Sequence, residues 1–147
     1  DEYTRECLAI DVGRRLGADD VLFRLSELMI ARGVPDNVRS DNGPEFTGKS
    51  MLTWAHRKNI ALRLIEPGKP NQNAYVESFN GRFRDECLNE HWFMSLAHAR
   101  AVIEEWRQEY NDERPKRSLG GLTPSQYAKQ LAARPLTMPA DSRPACY

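Results

Sequence analysis

The chain has 147 residues, of which 40% are hydrophobic and 29% are charged, a balance typical of a globular protein. No apolar run approaches the roughly 20 residues of a membrane-spanning helix, so the sequence excludes an integral membrane protein. The 21 basic and 21 acidic residues cancel, and the net charge therefore gives no support for a nucleic-acid partner.

The first half of the chain alternates between strand-like and helix-like segments. The predicted strands are residues 7–12, 37–40 and 61–65, and the predicted helices between them are residues 18–32 and a segment capped by Thr47 or Ser50. The turn sequence Asp-Asn-Gly-Pro follows the second strand, which places Asp41 at a strand end. This alternation predicts an α/β layered fold, in which ligand sites gather at the ends of strands.

The second half is predicted to be helical. A mobile loop over residues 66–73 leads into a helix from about 73 to 88, and a longer amphipathic helix follows from about 95 to 111. Thr123 and Pro124 have the N-cap and first-turn chemistry of a short helix that ends near Ala132. We expect residues 1–133 to form one domain and residues 134–147 to form a flexible tail.

The three cysteines are odd in number and far apart, which predicts reduced thiols in a cytoplasmic protein. Cys87 lies near a helix end with no histidine base in reach by sequence, so we expect a buried or inert thiol. The three tryptophans could stack on nucleic-acid bases, but their helical spacing favours packing in the core. They are Trp54, Trp92 and Trp106.

Two carboxylates have the chemistry of a metal site. Asp41 lies within Ser-Asp-Asn-Gly-Pro-Glu-Phe, and Glu77 lies early on the predicted helix, with 77 − 41 − 1 = 35 residues between them. Carboxylates that converge from different elements are the ligands that Mg²⁺ prefers for phosphoryl transfer. Taken singly, an Asp before Asn-Gly commonly only forms a turn, and a Glu in a first helical turn commonly only complements the helix dipole.

The surroundings of both carboxylates resemble a known family at this same separation. The block around Asp41, the block Asn-Ala-Tyr-Val-Glu-Ser-Phe-Asn-Gly-Arg-Phe-Arg-Asp-Glu-Cys-Leu-Asn and the later Tyr-Asn-Asp-Glu-Arg-Pro carry the resemblance, which extends to about Ala132. The chain is similar to the catalytic core shared by retroviral integrases and bacterial insertion-sequence transposases of the second open reading frame type. The resemblance implies a ribonuclease-H-like α/β fold with a mixed sheet flanked by helices.

The resemblance also implies a chemistry. Asp41 and Glu77 would be catalytic ligands of two Mg²⁺ or Mn²⁺ ions, and the enzyme would cleave transposon ends and join them to target DNA by direct transesterification. The family's first aspartate lies on a strand before Asp1, and the family pattern makes Asp1 and Asp11 poor substitutes for it. We therefore expect an N-terminally truncated core that lacks its first strands and is weakly active or inactive.

Candidate DNA contacts lie on the helix that carries Glu77 and in the loop before it. Arg84 and Gly81 fall on the same helical face as Glu77, and residues 57–84 hold six basic and two acidic residues, a net charge of 6 − 2 = +4. A solvated basic face is the alternative. The candidates are Arg84, Arg82, Gly81, Asn73, Gln72 and Lys69.

The expected partners are DNA, both transposon ends and target, a second copy of the chain and another transposase subunit, with no membrane. The expected location is the bacterial cytoplasm, in association with the nucleoid. Two rival hypotheses remain open: a ribonuclease-H-like nuclease that does not join strands, and a non-catalytic remnant that only binds DNA or a partner.

Overall fold

The computed structural model describes residues 1–134, and we number its α-helices and β-strands in chain order. The described helices are α1 (Ala18–Arg32), α2 (Pro44–Thr47), α3 (Lys49–Lys58), α4 (Ala74–Phe83), α5 (Leu96–Asp112) and α6 (Pro124–Ala132). The strands are β1 (Asn37–Ser40) and β2 (Ala61–Leu64). Among these residues no helix is long and apolar enough to cross a membrane.

The chain divides into two compact units. One comprises Gly13–His91, and the other combines Asp1–Val12 with the segment that starts at Trp92. The prediction that residues 1–133 form one domain stays a prediction. The predicted flexible tail lies, apart from Arg134, outside the described residues.

The unit Gly13–His91 is built around a parallel pair of strands. β1 pairs with β2 in the register Asn37↔Ala61 to Ser40↔Leu64, and helices α2 and α3 form the crossover that a parallel pair requires. Val38, Ala55 and Ile60 form the buried core, and partly buried side chains from α1, α3 and β2 pack against it. Those side chains are Met29, Trp54 and Leu62. The predicted positions of α1, β1 and β2 are confirmed.

The start of α3 differs from the prediction, because Gly48 is the N-cap and neither Thr47 nor Ser50 caps the helix. Pro44 begins the one-turn helix α2 immediately after Gly43. The Thr47 hydroxyl donates to the Gly43 carbonyl oxygen at 3.2 Å within that turn, so it is not available to α3.

The end of α3 depends on Asn59, which adopts the left-handed conformation with φ 56°. Asparagine tolerates this conformation better than most residues. The Ile60 amide then donates back to the Ala55 carbonyl oxygen at 2.9 Å, and the chain turns directly into β2.

The predicted helix over residues 73–88 is confirmed, and it ends in a wider turn. Pro70–Asn73 form a 3₁₀ turn before α4, and Arg84–Leu88 continue α4 as a π-helical turn. The Asn89 amide donates to the Arg84 carbonyl oxygen at 2.8 Å. Cys87 is buried, as predicted, and burial raises the pKa of its thiol.

The second unit contains α5 and α6, which begin where the sequence predicts. The Ser95 hydroxyl accepts from the His98 amide at 3.0 Å, and the Thr123 hydroxyl accepts from the Gln126 amide at 3.2 Å. The Gln126 side chain accepts in turn from the Thr123 amide, which completes a capping box. Trp106 is buried and stacks on Tyr110, with ring centroids 5.2 Å apart.

The predicted strand over residues 7–12 is wrong. This segment has no regular secondary structure and no strand partner among the described residues, and side chains of α5 bind its backbone. The Cys7 amide donates to Asn111 Oδ1 at 2.8 Å, and the Cys7 carbonyl oxygen accepts from Asn111 Nδ2 at 2.9 Å and from Arg107 at 2.8 Å. Arg100 also donates to the Val12 carbonyl oxygen at 3.1 Å. Strand-like composition does not show whether the backbone groups of a segment will bind a neighbouring strand or the side chains of a helix.

The predicted burial of all three tryptophans is wrong for Trp92, whose side chain is 89% exposed. Trp92 lies between the π turn and α5, outside any helix. The helical spacing that places Trp54 and Trp106 against a core therefore does not apply to it.

Replacing Asn111 with alanine tests the docking of the N-terminal segment. Because the change removes two hydrogen bonds and leaves the Cys7 amide without an acceptor, we expect a loss of about 2–3 kcal/mol in the free energy of unfolding. Urea denaturation followed by circular dichroism measures it. The control is Gln108→Ala on the exposed face of α5, and equal stability of the two variants would contradict this role of Asn111.

Candidate active site

Asp41 follows β1 directly, at the point where the strand ladder stops. The Ile65 amide donates to the Ser40 carbonyl oxygen at 3.0 Å, which is the last ladder bond before the chain turns. Asp41 is exposed, and its Oδ1 accepts from the Gly43 amide at 3.0 Å. This short-range bond is the turn-forming role that the sequence allowed, and it leaves Oδ2 without a hydrogen-bond partner among the described residues. One carboxylate oxygen is thus available to a ligand.

Asn42 fixes this turn to the neighbouring strand, a role that the sequence analysis missed. Its Nδ2 donates to the Ile65 carbonyl oxygen at 2.9 Å, one residue past the end of β2. The turn that carries Asp41 is therefore held from two sides, by β1 and by the residue after β2. An asparagine beside a turn was the only signal in the sequence, and it did not reveal the long-range partner.

A second carboxylate, that of Glu45, lies close to Asp41 around Gly43. A Cβ atom at Gly43 would lie 2.6 Å from Glu45 Oε1 and 3.1 Å from Asp41 Oδ1, so only glycine leaves room for both side chains in these positions. Glu45 was not a candidate in the sequence analysis. Its place four residues after Asp41, in the first turn of α2, was the available signal.

Glu77 lies in the first turn of α4 and is exposed. The loop before α4 is attached to the strands through Gln72. Gln72 Oε1 accepts from the Glu66 amide at 3.0 Å, and the Gln72 carbonyl oxygen accepts from the Arg39 guanidinium at 3.3 Å. Arg39 lies two residues before Asp41, so this contact links the strand that carries one carboxylate to the segment that carries the other.

Asp41 and Glu77 thus belong to one compact unit, and Arg39 of β1 contacts Gln72 in the turn that precedes α4. Within residues 1–134 there is no group of three or more His, Cys, Asp or Glu side chains that could hold a metal ion. Asp1 and Asp11 belong to the other unit. Asp1 Oδ1 accepts from the Tyr3 and Thr4 amides at 2.7 and 2.9 Å, which is a local turn contact.

The predicted DNA-contact residues have different environments. Arg82 and Arg84 are exposed at the end of α4, and apart from the helix's own backbone no atom lies within 4 Å of the position that a Cβ would take at Gly81. Lys69 is exposed and forms an ion pair with Glu66, an interaction that contributes little to stability at a surface. Gln72 and Asn73 are half-buried, and Gln72 uses its side-chain oxygen within the loop. Their contacts with DNA stay predictions.

Comparison with known proteins identifies the family. Two family models, each described as an integrase core domain, match residues 1–70 and 58–124. An insertion element IS407 protein of 31.7 kDa from Burkholderia multivorans is 52% identical over 133 residues, which are 90% of this chain and 48% of that protein. The transposase InsF of insertion sequence IS3fB from Escherichia coli is 26% identical over 136 residues, 90% of this chain and 47% of the relative.

Solved structures with the same fold are integrase catalytic cores. The catalytic core of BIV integrase has a TM-score of 0.67 at 19% identity, covering 88% of this chain and 82% of that one. The HTLV-2 integrase catalytic core, solved in complex with magnesium in a dimeric form, has a TM-score of 0.55 at 16% identity. It matches 81% of this chain and 74% of its own. The predicted ribonuclease-H-like α/β fold is confirmed.

The two family models together span residues 1–124 and show that the chain belongs to the integrase core family. The predicted resemblance is confirmed. The chain spans about half the length of the curated relatives it matches, at 48% and 47%.

Replacing Gln72 with alanine tests the attachment of the loop before α4. Because the Glu66 amide then has no acceptor, its hydrogen exchange should become roughly two- to tenfold faster, the equivalent of one hydrogen bond. Exchange measured by NMR detects the change. Asn71→Ala, in the same 3₁₀ turn, is the control, and an unchanged Glu66 amide in the Gln72 variant would refute the contact.

Proposed function

We propose that this chain supplies Asp41 and Glu77 as two catalytic carboxylates of a DNA transposase, a polynucleotidyl transferase that cleaves transposon ends and joins them to target DNA. The observation that carries the proposal is the placement of Asp41. This residue directly follows β1 and has one carboxylate oxygen without a hydrogen-bond partner among the described residues. Arg39 of β1 contacts the loop before α4, the helix that carries Glu77. Membership in the integrase core family supports the reaction class.

The donor chemistry fits a divalent cation. Both side chains are exposed carboxylates, and Mg²⁺ is commonly bound by one or two carboxylates together with water and substrate phosphates. We propose Asp41 and Glu77 as ligands of Mg²⁺ or Mn²⁺, with two ions in the intact site. When bound, the ions would activate the attacking oxygen and stabilise the leaving oxygen at phosphorus. The magnesium complex of the HTLV-2 integrase core supports this proposal.

The protein's own residues would position the DNA. Gly43 and Asn42 hold the Asp41 turn, so that the carboxylate needs little reorganisation when a ligand arrives. Arg84 and Arg82 are exposed cations at the end of α4, suited to DNA phosphates. The open space at Gly81 would let a DNA backbone approach α4 closely.

The loop before α4 would contribute the remaining contacts, from Asn73, Gln72 and Lys69. Lys69 would exchange its exposed partner Glu66 for a DNA phosphate at little cost, because a surface ion pair is weak. Water and then a 3′-hydroxyl would act as successive nucleophiles, and no covalent enzyme intermediate is needed.

The proposed partners are transposon ends, target DNA, a second copy of the chain and another transposase subunit. The dimeric form of the HTLV-2 integrase core and a fold match to a chain of the simian T-cell lymphotropic virus intasome support assembly with further copies. A function on bacterial chromosomal DNA would place the protein in the cytoplasm, in association with the nucleoid.

Glu77→Gln tests the catalytic role in a chimera. The matching 133 residues of this chain replace those of the IS407 protein, so that the rest of a longer relative is present. The chimera is incubated with a labelled transposon end and a target plasmid. Removing one carboxylate charge should lower both cleavage and joining by at least 1,000-fold, with circular dichroism and DNA affinity little changed.

The matched control is Glu90→Gln, a surface carboxylate beyond the π turn that should keep near-normal activity. Near-normal activity of Glu77→Gln would refute the ligand role. Cleavage without joining in the unmodified chimera would favour the rival ribonuclease-H-like nuclease.

Calorimetric titration with Mn²⁺ tests the metal site in this chain itself. We expect binding that weakens at least tenfold in both Asp41→Asn and Glu77→Gln, because each change removes a charged oxygen ligand. Asp19→Asn, an exposed acidic residue in the first turn of α1, is the control. If Mn²⁺ binding is absent or independent of both residues, the chain acts as the non-catalytic remnant that binds DNA or a partner.

A further inference from the structure

A groove of about 730 Å³ lies between α1 and α3, within the unit Gly13–His91. Leu22 of α1 and Trp54 of α3 contribute its apolar lining. Its polar lining comes from α3 and includes three cations, Lys49, Arg57 and Lys58, and no carboxylate. The groove shares no residue with the proposed catalytic site or with the predicted DNA contacts.

The cations lie at the two ends of α3, with Lys49 in its first turn and Arg57 and Lys58 in its last. Trp54 and Lys58 are four residues apart, as are Ser50 and Trp54, so these side chains form a row along the helix. Lys49 and Lys58 are nine residues apart, or roughly 14 Å along the axis. A strand of duplex DNA carries one charge about every 3.4 Å of its axis, so one backbone laid along the groove has phosphates near both ends.

Helix stability does not explain this charge pattern. Arg57 and Lys58 lie in the last turn of α3, where a cation complements the helix dipole. Lys49 lies in the first turn, where a cation opposes the dipole, and that turn has no acidic residue to offset it. Gly48, the N-cap, provides no side chain to accept from the first amides, so this end of the groove favours an anion.

The three cations are also available to a ligand. Lys49, Arg57 and Lys58 are exposed, and none of them forms an ion pair with a residue of the described part of the chain. Protein interfaces are depleted in lysine, whereas protein–DNA interfaces are strongly positive. The chemistry therefore favours a nucleic-acid backbone over a protein partner.

We propose that the groove between α1 and α3 is a second DNA-binding surface, which holds a phosphodiester backbone through Lys49, Arg57 and Lys58 and does so without divalent metal. The exposed hydroxyl of Ser50 and the uncapped start of α3 add donors for a phosphate at one end. Binding here depends on charge and not on base sequence, so this surface would serve any duplex.

The test measures the affinity of the chain for a fluorescein-labelled 30-base-pair duplex of random sequence, in EDTA, over a series of salt concentrations. Removing one cation that binds a phosphate should reduce the slope of log affinity against log salt by about 1. We expect the slope to fall by about 2 in Arg57→Gln/Lys58→Gln and by about 1 in Lys49→Gln. Arg14→Gln/Arg15→Gln, an adjacent exposed pair before α1, is the control and should leave the slope unchanged.

A second measurement uses the unmodified chain and so does not depend on how variants fold. Acetylation of lysines, read by mass spectrometry, should be slowed at Lys49 and Lys58 by the duplex, with no effect at Lys129 of α6. Equal salt slopes in all variants, or equal acetylation with and without DNA, would overturn the proposal. An altered oligomeric state in the groove variants with unchanged DNA slopes would also overturn it, because the groove would then be a contact between copies.

The proposal is independent of the catalytic one. Because the assay contains EDTA, removal of the Asp41 and Glu77 carboxylates should not reduce the slope, and Glu77→Gln serves to confirm this. If the Mn²⁺ titration fails, the result for the groove still stands. If the salt-dependence and acetylation tests fail, the catalytic proposal still stands.

Discussion

The parallel pairing of β1 with β2 is the constraint on which the rest of this unit depends. Parallel strands cannot be joined by a tight turn, so the chain must cross over, and α2 and α3 make that crossing. The crossing brings Ala55 onto Val38 and Ile60, which together form the buried core. Because the ladder ends at Ser40, the chain must turn at Asp41, and a strand end is where α/β folds place their ligand sites.

The candidate site is made rigid by backbone contacts that have no catalytic role. Asn42 binds the end of β2, Gly43 binds Asp41, and Gln72 receives hydrogen bonds from both Glu66 and Arg39. These bonds restrict the two short segments on which the carboxylates lie. A transposase core needs such preorganisation, because a phosphoryl transfer is accelerated mainly by positioning and charge. The proposed groove would give α3 two roles, because this crossover helix would support the strands and also contact DNA.

Local chemistry determined most of the elements correctly. Thr123, Pro124 and Gln126 specify the start of α6 through a capping box, and Ser95 specifies the start of α5. Both signals depend only on neighbours within one turn, so the sequence is sufficient to read them. The error over residues 7–12 has distant partners, because this segment binds Asn111 and Arg107, which are about 100 positions away in the sequence.

By itself the sequence determined the family, the position of Asp41 at a strand end and the position of Glu77 in a first helical turn, because each depends on short blocks of residues. Only the tertiary structure decided which side chains surround them. The pairing of β1 and β2 brings Asn42 to Ile65, and the fold of the loop brings Arg39 to Gln72, 33 positions away. The tertiary structure also decided that Trp92 is exposed and that three cations of α3 line one groove. Such contacts depend on how elements pack, and the residues within one element do not encode that packing.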